Sequence, residues 1–334
     1  VFFVISGMLI TRLLLVEHER DGGISLKNFY IRRTFRIVPA MWAYVAVITC
    51  LSVSGIIAVP RRDILHALTY IVNYFQEGRS WYLLHMWSLS VEEQFYLLWP
   101  LVLCLGGPRT GRRVALFAIG LEPLLRILAL LMLPGAAEGH SQWFPTASDA
   151  IATGCMLPLL AASERRRLTE PWIHSRWFFV VPVSVVGLNW LYHRAQNGAS
   201  MILIDSLGVT LMNFGIAFIV ERVVAFPNDR LGLVLNSGPV VWMGRISYSL
   251  YLWQMPFLNH QDFAWITRLP INVIATFAAA TVSYYFVETP FLNLRKHLGW
   301  GEHAPGGPTS EIRVMPLSPT TEGKVPSGYS PFIR

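Results

Sequence analysis

Long apolar stretches recur along this chain, separated by short clusters of arginine, and that alternation limits the fold more than any other feature. A helix needs about 20 mainly apolar residues to cross the hydrocarbon of a bilayer. Lipid offers the backbone no hydrogen-bond partners, so a span must satisfy its own groups, as a helix or in a closed barrel. The stretches here are continuous instead of alternating in polarity, which selects helices. They cover residues 1–16, 37–59, 91–106, 114–133, 146–162, 176–193, 201–221, 239–258 and 265–287. The fold class that follows is all-α, a polytopic transmembrane helix bundle with about nine spans. Residues 61–86 are mixed and are expected to lie along the outer surface as a short amphipathic helix and loops. The chain opens inside an apolar run with no charged leader, so residues 1–16 read as a truncated span and not as a signal peptide.

Composition agrees. Of 334 residues, 53% are hydrophobic and 14% charged, where a soluble chain carries about a quarter charged. A net charge of +7 would fit nucleic acid if it gathered on one face, but it is scattered between apolar stretches, so no nucleic-acid partner is expected. One alternate set of loops holds Arg20, Lys27, Arg32, Arg33 and Arg36, then Arg109, Arg112 and Arg113, then Arg165, Arg166 and Arg167, then Arg222 and Arg230, then Arg295 and Lys296. The other set holds only Arg61, Arg62, Arg79, Arg194 and Arg268. By the positive-inside rule the protein is a multi-pass protein of the inner (plasma) membrane with a cytoplasmic C-terminus. Residues 299–334 are rich in Pro, Gly, Ser and Thr and read as a disordered cytoplasmic tail behind a transmembrane domain of residues 1–298. Cys50, Cys104 and Cys155 have no disulfide or metal-ligand spacing, and no metal is expected.

Charge inside apolar stretches marks candidate chemistry. Trp87 to Pro100 carries Glu92 and Glu93 at the head of an aromatic run. Ser90 and Glu93 have the Ser-x-x-Glu spacing of a capping box, which competes with a catalytic role for Glu93. Glu92 shares a helical face with Ser88, Tyr96 and Trp99 and is the stronger catalytic candidate. His85 is the imidazole nearest in sequence, either a base or a structural residue. In Phe29 to Pro39, a helix would bring Arg32, Arg33 and Arg36 within an arc of about 100°. Such a cluster binds phosphate or anchors to anionic headgroups. Glu122 and Arg126 have ion-pair spacing. Asp149 is read either as an N-cap or as a site residue, Arg245 as a buried cation in need of a partner, and Glu288 as interfacial.

Trp87 to Pro100 resembles the signature of the integral-membrane acyltransferase 3 family. Phe2 to Thr11, Phe29 to Pro39 with Arg-x-x-Arg at Arg33 and Arg36, and Gly244 to Trp253 fit the same family in the same order. The resemblance implies an O-acyltransferase, with acyl-coenzyme A as donor, an acetyl group as the expected cargo, and a hydroxyl of a carbohydrate, lipid-linked or other envelope or secondary-metabolite acceptor. It implies that Arg32, Arg33 and Arg36 hold a coenzyme A phosphate at the cytoplasmic face. The topology read from the loop charges places the glutamates toward the outer half, opposite them. It also implies a catalytic histidine on a first helix ahead of Val1, so that a complete protein would have ten spans and this fragment alone would be inactive. Glu92 would orient that histidine, and Arg245, Ser247 or Tyr248 would stabilise the oxyanion. Trp87, Ser88, Asp149 and Ser247 are candidate substrate contacts. Ala147 and Gln254 depart from the pattern, which has Arg and often His there. A transporter or flippase, or a non-catalytic membrane scaffold, is the competing reading; the absence of an inverted repeat weighs against transport.

Overall fold

The computed structural model describes residues 1–75, 78–132, 142–194, 202–259 and 267–298, and within them the chain is helical with no strand. The expected tail lies outside the described residues. Helix α1 (Phe2–Asp21) stops where Gly22 takes φ 71°, a left-handed turn that glycine enters without a Cβ clash. Helix α2 (Leu26–Val53) is capped by Ser25, whose hydroxyl accepts from the Asn28 N–H. It begins at Leu26, not at 37, so the arginine segment and the span behind it form one continuous helix. Short α3 (Arg61–Leu68), a 3₁₀ turn at Val72–Tyr74 and α4 (Trp81–Leu84) occupy the mixed segment, as its pattern predicts.

Helix α5 (Met86–Met132) consists of two arms broken at Gly107, where φ is 70° and ψ −177°. Gly111 packs onto Leu103 and Trp99, so the second arm folds back on the first. The stretches expected at 91–106 and 114–133 are these arms. After α6 (Phe144–Ala147) comes α7 (Asp149–Leu159). At 1.5 Å per residue α7 is about 16 Å long, too short for about 30 Å of hydrocarbon. The span expected at 146–162 is therefore a short helix packed between α1 and α5. Helices α8 (Ala162–Ile173), α9 (Val180–Arg194) and α10 (Ile204–Ala225) follow, the last opening with a π turn at Ile204–Gly208. The stretch at 239–258 bends at Ile246 into α12 (Gly238–Arg245) and α13 (Ser247–Leu258), behind a short α11 (Arg230–Leu235). Helix α14 (Ile271–His297) contains a second π turn at Tyr284–Glu288.

Among the described residues, α2, the run Trp81–Met132, α10 and α14 are long and apolar enough to cross a membrane. The main core joins Ile10 and Leu14 of α1, Met41, Tyr44 and Ile48 of α2, Met86, Leu89 and Leu103 of α5, and Ile151 of α7. Outward faces carry Trp42, Leu105, Phe117, Leu131, Val183, Ile274 and Phe286, all exposed. Water would penalise so much apolar surface, whereas lipid tails cover it without penalty.

One crossing positions the site. A Cβ on Gly7 would lie 2.1 Å from the Ile151 carbonyl oxygen, and one on Gly154 2.0 Å from that of Val4. Glycine on both helices lets the backbones of α1 and α7 touch, the close approach that small residues permit between membrane helices. Ser6, beside Gly7, is thereby set against α5.

Candidate active site

Glu92 is buried in the second turn of α5. Its Oε1 accepts from Ser6 Oγ of α1 and from the Tyr96 hydroxyl, one turn further along α5. The face read from the spacing of Glu92 and Tyr96 is the one observed. Trp99 on the same side donates from Nε1 to Thr11 Oγ1 at 2.9 Å, fixing α1 against α5. Ser88, one turn before Glu92 on the helix, pairs its hydroxyl with that of Tyr251.

Arg33 lies with its guanidinium 4.6 Å from the centre of the Tyr96 ring and 5.8 Å from that of Phe29. The positive charges of Arg33 and Arg36 both reach Glu92. The arginines and the glutamates therefore do not lie opposite one another, as expected from sequence, but adjoin. The reason is register. Tyr30 OH donates to Leu97 O at 2.8 Å and Tyr44 OH to Tyr82 O at 2.6 Å, so α2 runs antiparallel to α5 and brings Arg33 level with Tyr96.

Arg32 is paired with Glu17 at 2.7 Å, while Arg36 is exposed. Sequence reasoning missed a further cation. Arg295, near the end of α14, sits in the fields of Arg32 and Arg36, and its buried Nε has no hydrogen-bond partner. Guanidiniums gathered in this way can supply the bidentate donors a phosphate uses.

The capping box does not form. Helix α5 starts at Met86, so Ser90 is already inside it and donates to Met86 O at 2.9 Å. Glu93 Oε1 is buried without a hydrogen-bond partner. Gln94 donates to Tyr70 O at 2.8 Å and to Asn73 Oδ1 at 3.1 Å. Successive helical residues diverge by about 100°; Glu92, Glu93 and Gln94 accordingly serve different neighbours.

His85 precedes α5 and is buried, its ring edge-on to Tyr44 at 5.6 Å and tilted against Tyr251 at 5.1 Å. Neither ring nitrogen makes a hydrogen bond, although the Leu252 carbonyl is near. Its own carbonyl accepts from Tyr251 OH. Trp87 packs edge-on to Phe3 at 6.0 Å. Tyr248 gives its proton to Ile37 O at 2.9 Å. Arg245 and Ser247 are exposed, contrary to the expectation of a buried Arg245, because α12 has no buried residue and ends there. The buried residue is Ser249, which donates to Glu288 Oε1. Glu288 is itself buried, drawn inward by the π turn, and not interfacial.

Arg126 forms the expected ion pair with Glu122 and a closer one with Asp149. Its Nη2 lies 2.6 Å from Asp149 Oδ1 and 3.7 Å from Glu122. Its Nε donates to Thr146 O at 2.8 Å and its Nη1 to Ser206 O at 3.3 Å, a carbonyl of the α10 π turn. Thr210 donates to Asp149 Oδ2 at 2.7 Å, while Glu122 accepts from Ser148 Oγ and the Asp149 N–H. Both Asp149 oxygens are thus occupied by protein, and capping α7 falls to Glu122. Beside this network an apolar groove of about 570 Å³ opens between the arms of α5 and α7, walled by Phe95, Trp99 and Val102 on one arm and Val114 and Ala118 on the other. Among the described residues no three His, Cys, Asp or Glu side chains are placed to hold a metal.

A family model for an acyltransferase domain, acyltransferase 3, matches residues 1–288. The chain belongs to the acyltransferase 3 family. Membership makes it an acyltransferase domain for groups other than aminoacyl groups. The peptidoglycan O-acetyltransferase OatA of Listeria monocytogenes is 27% identical over 325 residues, 87% of this chain and 50% of its own. A Staphylococcus aureus (strain COL) protein is 30% identical over 324 residues, 87% of this chain and 51% of its own. The O-acetyltransferase OatA of Staphylococcus aureus (strain NCTC 8325) is 26% identical over 329 residues, 86% and 51% respectively. The chain spans about half the length of these curated relatives. No solved structure matches it.

Proposed function

We propose that this chain moves an acetyl group from acetyl-coenzyme A to a hydroxyl of a carbohydrate, free or lipid-linked, in the cell envelope. The observation that carries the reading is the contact of Arg33 with Tyr96, whose hydroxyl donates to Glu92. A cation suited to phosphate thus lies against the tyrosine that holds a buried carboxylate. Arg33 and Arg36, with Arg32 and Arg295, would bind the coenzyme A phosphates. The acceptor oxygen attacks the thioester carbonyl carbon; the new C–O bond forms as the C–S bond breaks. The hydroxyl proton passes to a base, and the thiolate leaves and is protonated as coenzyme A. Glu92, held by Ser6 and Tyr96, would orient the histidine base that family membership implies and stabilise its imidazolium.

The printed name of the Listeria relative, a peptidoglycan O-acetyltransferase, supports an acetyl cargo and a carbohydrate acceptor. The apolar groove beside α5 supports an acceptor carried on lipid. Arginine asymmetry between alternate loops supports a plasma-membrane protein with a cytoplasmic C-terminus. The test is acetyl-coenzyme A binding and coenzyme A release by the full-length protein in membranes. Arg33→Ala and Arg36→Ala should each weaken donor binding about tenfold, the loss of one charged hydrogen bond. Unaltered binding would return the cluster to lipid anchoring. No coenzyme A release with any glycan acceptor would favour a transporter or scaffold.

A further inference from the structure

A cleft of about 170 Å³ opens between α1, α7, α8 and α10, and the acyl-transfer site makes no use of it. Four charged side chains line it: Arg12 and Glu19 of α1, Arg165 of α8 and Glu221 of α10. Glu17, which engages Arg32 of the basic cluster, projects about 140° round α1 from Arg12, so the cleft and that cluster occupy different sides of the helix. Arg165 and Glu221 form an ion pair at 3.4 Å, both side chains largely buried. Arg12 and Glu19 are left over. Among the described residues the ion pairs of α1 engage Glu17, Arg20 and Asp21, while Arg12 and Glu19, two turns apart or about 10 Å along the axis, have no partner.

One unpaired cation and one unpaired anion in the same cleft select against a simple ion. A lone phosphate on Arg12 would be repelled by Glu19, and a lone ammonium on Glu19 by Arg12. A molecule that carries both charges satisfies both residues, and the order of its parts can be read along α1. Arg12 lies within the apolar run that ends at Val16, and Glu19 lies beyond that run, exposed, near the end of the helix. Val16 lines the cleft and is exposed, as are Leu13 and Leu9 above it, a row of apolar surface that lipid tails cover without penalty. Tails along Leu9 and Leu13, a phosphate at Arg12 and a positive charge at Glu19 follow the order of a zwitterionic phospholipid.

The walls select the amine. No aromatic ring lines the cleft. Quaternary ammonium groups such as choline are held by aromatic faces, whereas a primary ammonium donates N–H bonds to a carboxylate. Size agrees, since 170 Å³ is several times the roughly 30 Å³ share of one water. That is room for a headgroup, with the tails outside.

We propose that this cleft binds a phospholipid with a primary-amine headgroup, of the phosphatidylethanolamine type, its phosphate on Arg12 and its ammonium on Glu19. Full-length protein purified in detergent is titrated with phosphatidylethanolamine, phosphatidylcholine and phosphatidylglycerol of identical tails. Binding is read by native mass spectrometry and by the thermal midpoint, which a ligand of the folded state raises. Phosphatidylethanolamine should bind about tenfold more tightly than either of the others. Arg12→Gln should weaken its binding about tenfold, and Glu19→Gln should erase its advantage over phosphatidylcholine. Midpoints of the lipid-free variants should hold, because neither side chain has a partner to lose; if one falls, the ranking of the three lipids on the unaltered protein decides. Equal binding of the three, or a preference for phosphatidylglycerol, overturns the site. Glycerophosphoethanolamine, the same headgroup without tails, should bind at least about tenfold more weakly, and affinity equal to that of the lipid would overturn a lipid occupant. These measurements read binding alone, so they stand whether or not acetyl transfer is detected.

Discussion

Ser6 on α1 donates its hydroxyl to the carboxylate of Glu92 on α5, across 86 positions of sequence. The bond ties a helix held by α7 to the acid at the centre of the site. Ser6→Ala removes one of two hydroxyl donors to that oxygen and should lower turnover about tenfold, equivalent to a net hydrogen bond of about 1–1.5 kcal/mol. Because Ser6 would act by positioning Glu92, the KM for acetyl-coenzyme A should not move. Steady-state kinetics separate the outcomes: a raised donor KM with intact turnover would place Ser6 in substrate binding instead.

The α1–α7 crossing predicts a backbone effect at a distance from the chemistry. Gly154→Ala puts a methyl group 2.0 Å from Val4 O, and no side-chain rotation relieves a clash with backbone. The helices must separate, costing about 1–3 kcal/mol or more and drawing Ser6 from Glu92. Thermal unfolding in detergent should fall together with turnover. A protein of undiminished midpoint and activity would show that the crossing is looser than described.

Arg126 serves two carboxylates and carbonyls from two further elements, so its removal strands buried charge. Arg126→Met should destabilise the fold by about 3–5 kcal/mol. Adding Asp149→Asn should recover part of that loss, since the stranded charge is then smaller. Thermal midpoints of the single and double variants give the coupling; simple additivity would mean that the two residues do not act as a pair.

Arginines of the basic cluster should contribute unequally to donor binding. Arg295→Ala should weaken acetyl-coenzyme A binding about tenfold, although Arg295 is 259 positions from Arg36 in sequence. Arg32→Ala should cost less, because Glu17 already engages its guanidinium. Titration calorimetry on the purified protein ranks them, and a larger effect at Arg32 than at Arg295 would contradict the arrangement.

Glu164 in α8 receives two hydrogen bonds from Arg112 of the second α5 arm, at 2.6 and 2.8 Å. That contact holds the Glu164 carboxyl below the ordinary glutamate range. A depressed carboxyl stabilises the fold above its unfolded pKa and loses that contribution as pH falls through the folded value. Midpoints of the unaltered protein and Glu164→Gln, compared from pH 7 down to about pH 3, should therefore differ most at neutral pH and converge in acid. A gap that widens in acid would carry the wrong sign.

Much of the fold is legible in local pattern. Apolar runs locate helices because each helix meets its own backbone needs, and Arg32, Arg33 and Arg36 fall on one helix as their spacing predicts. The pairing of Glu92 with Tyr96 is likewise a matter of helical spacing. Partners from other helices are not legible in this way. Ser6 is visible only as a polar residue in the apolar run Phe2 to Thr11, and Arg295 only as one more basic residue near the end of α14. The capping box failed because Ser-x-x-Glu spacing recurs inside helices, and only the true start at Met86 decides whether it caps anything. The Glu122–Arg126 pair is legible because i,i+4 spacing displays it, whereas the closer partner Asp149 comes from another helix and is not.

By itself, the sequence determined that this chain is an all-helical membrane acyltransferase domain, because hydrophobic length and a dense local motif are properties of consecutive residues. The tertiary structure decided what each charged group faces. It set Glu92 against Ser6, levelled Arg33 with Tyr96 through antiparallel packing, and left a buried oxygen of Glu93 without a hydrogen-bond partner. Those relationships depend on helix register and crossing, which are fixed by contacts between segments far apart in the chain.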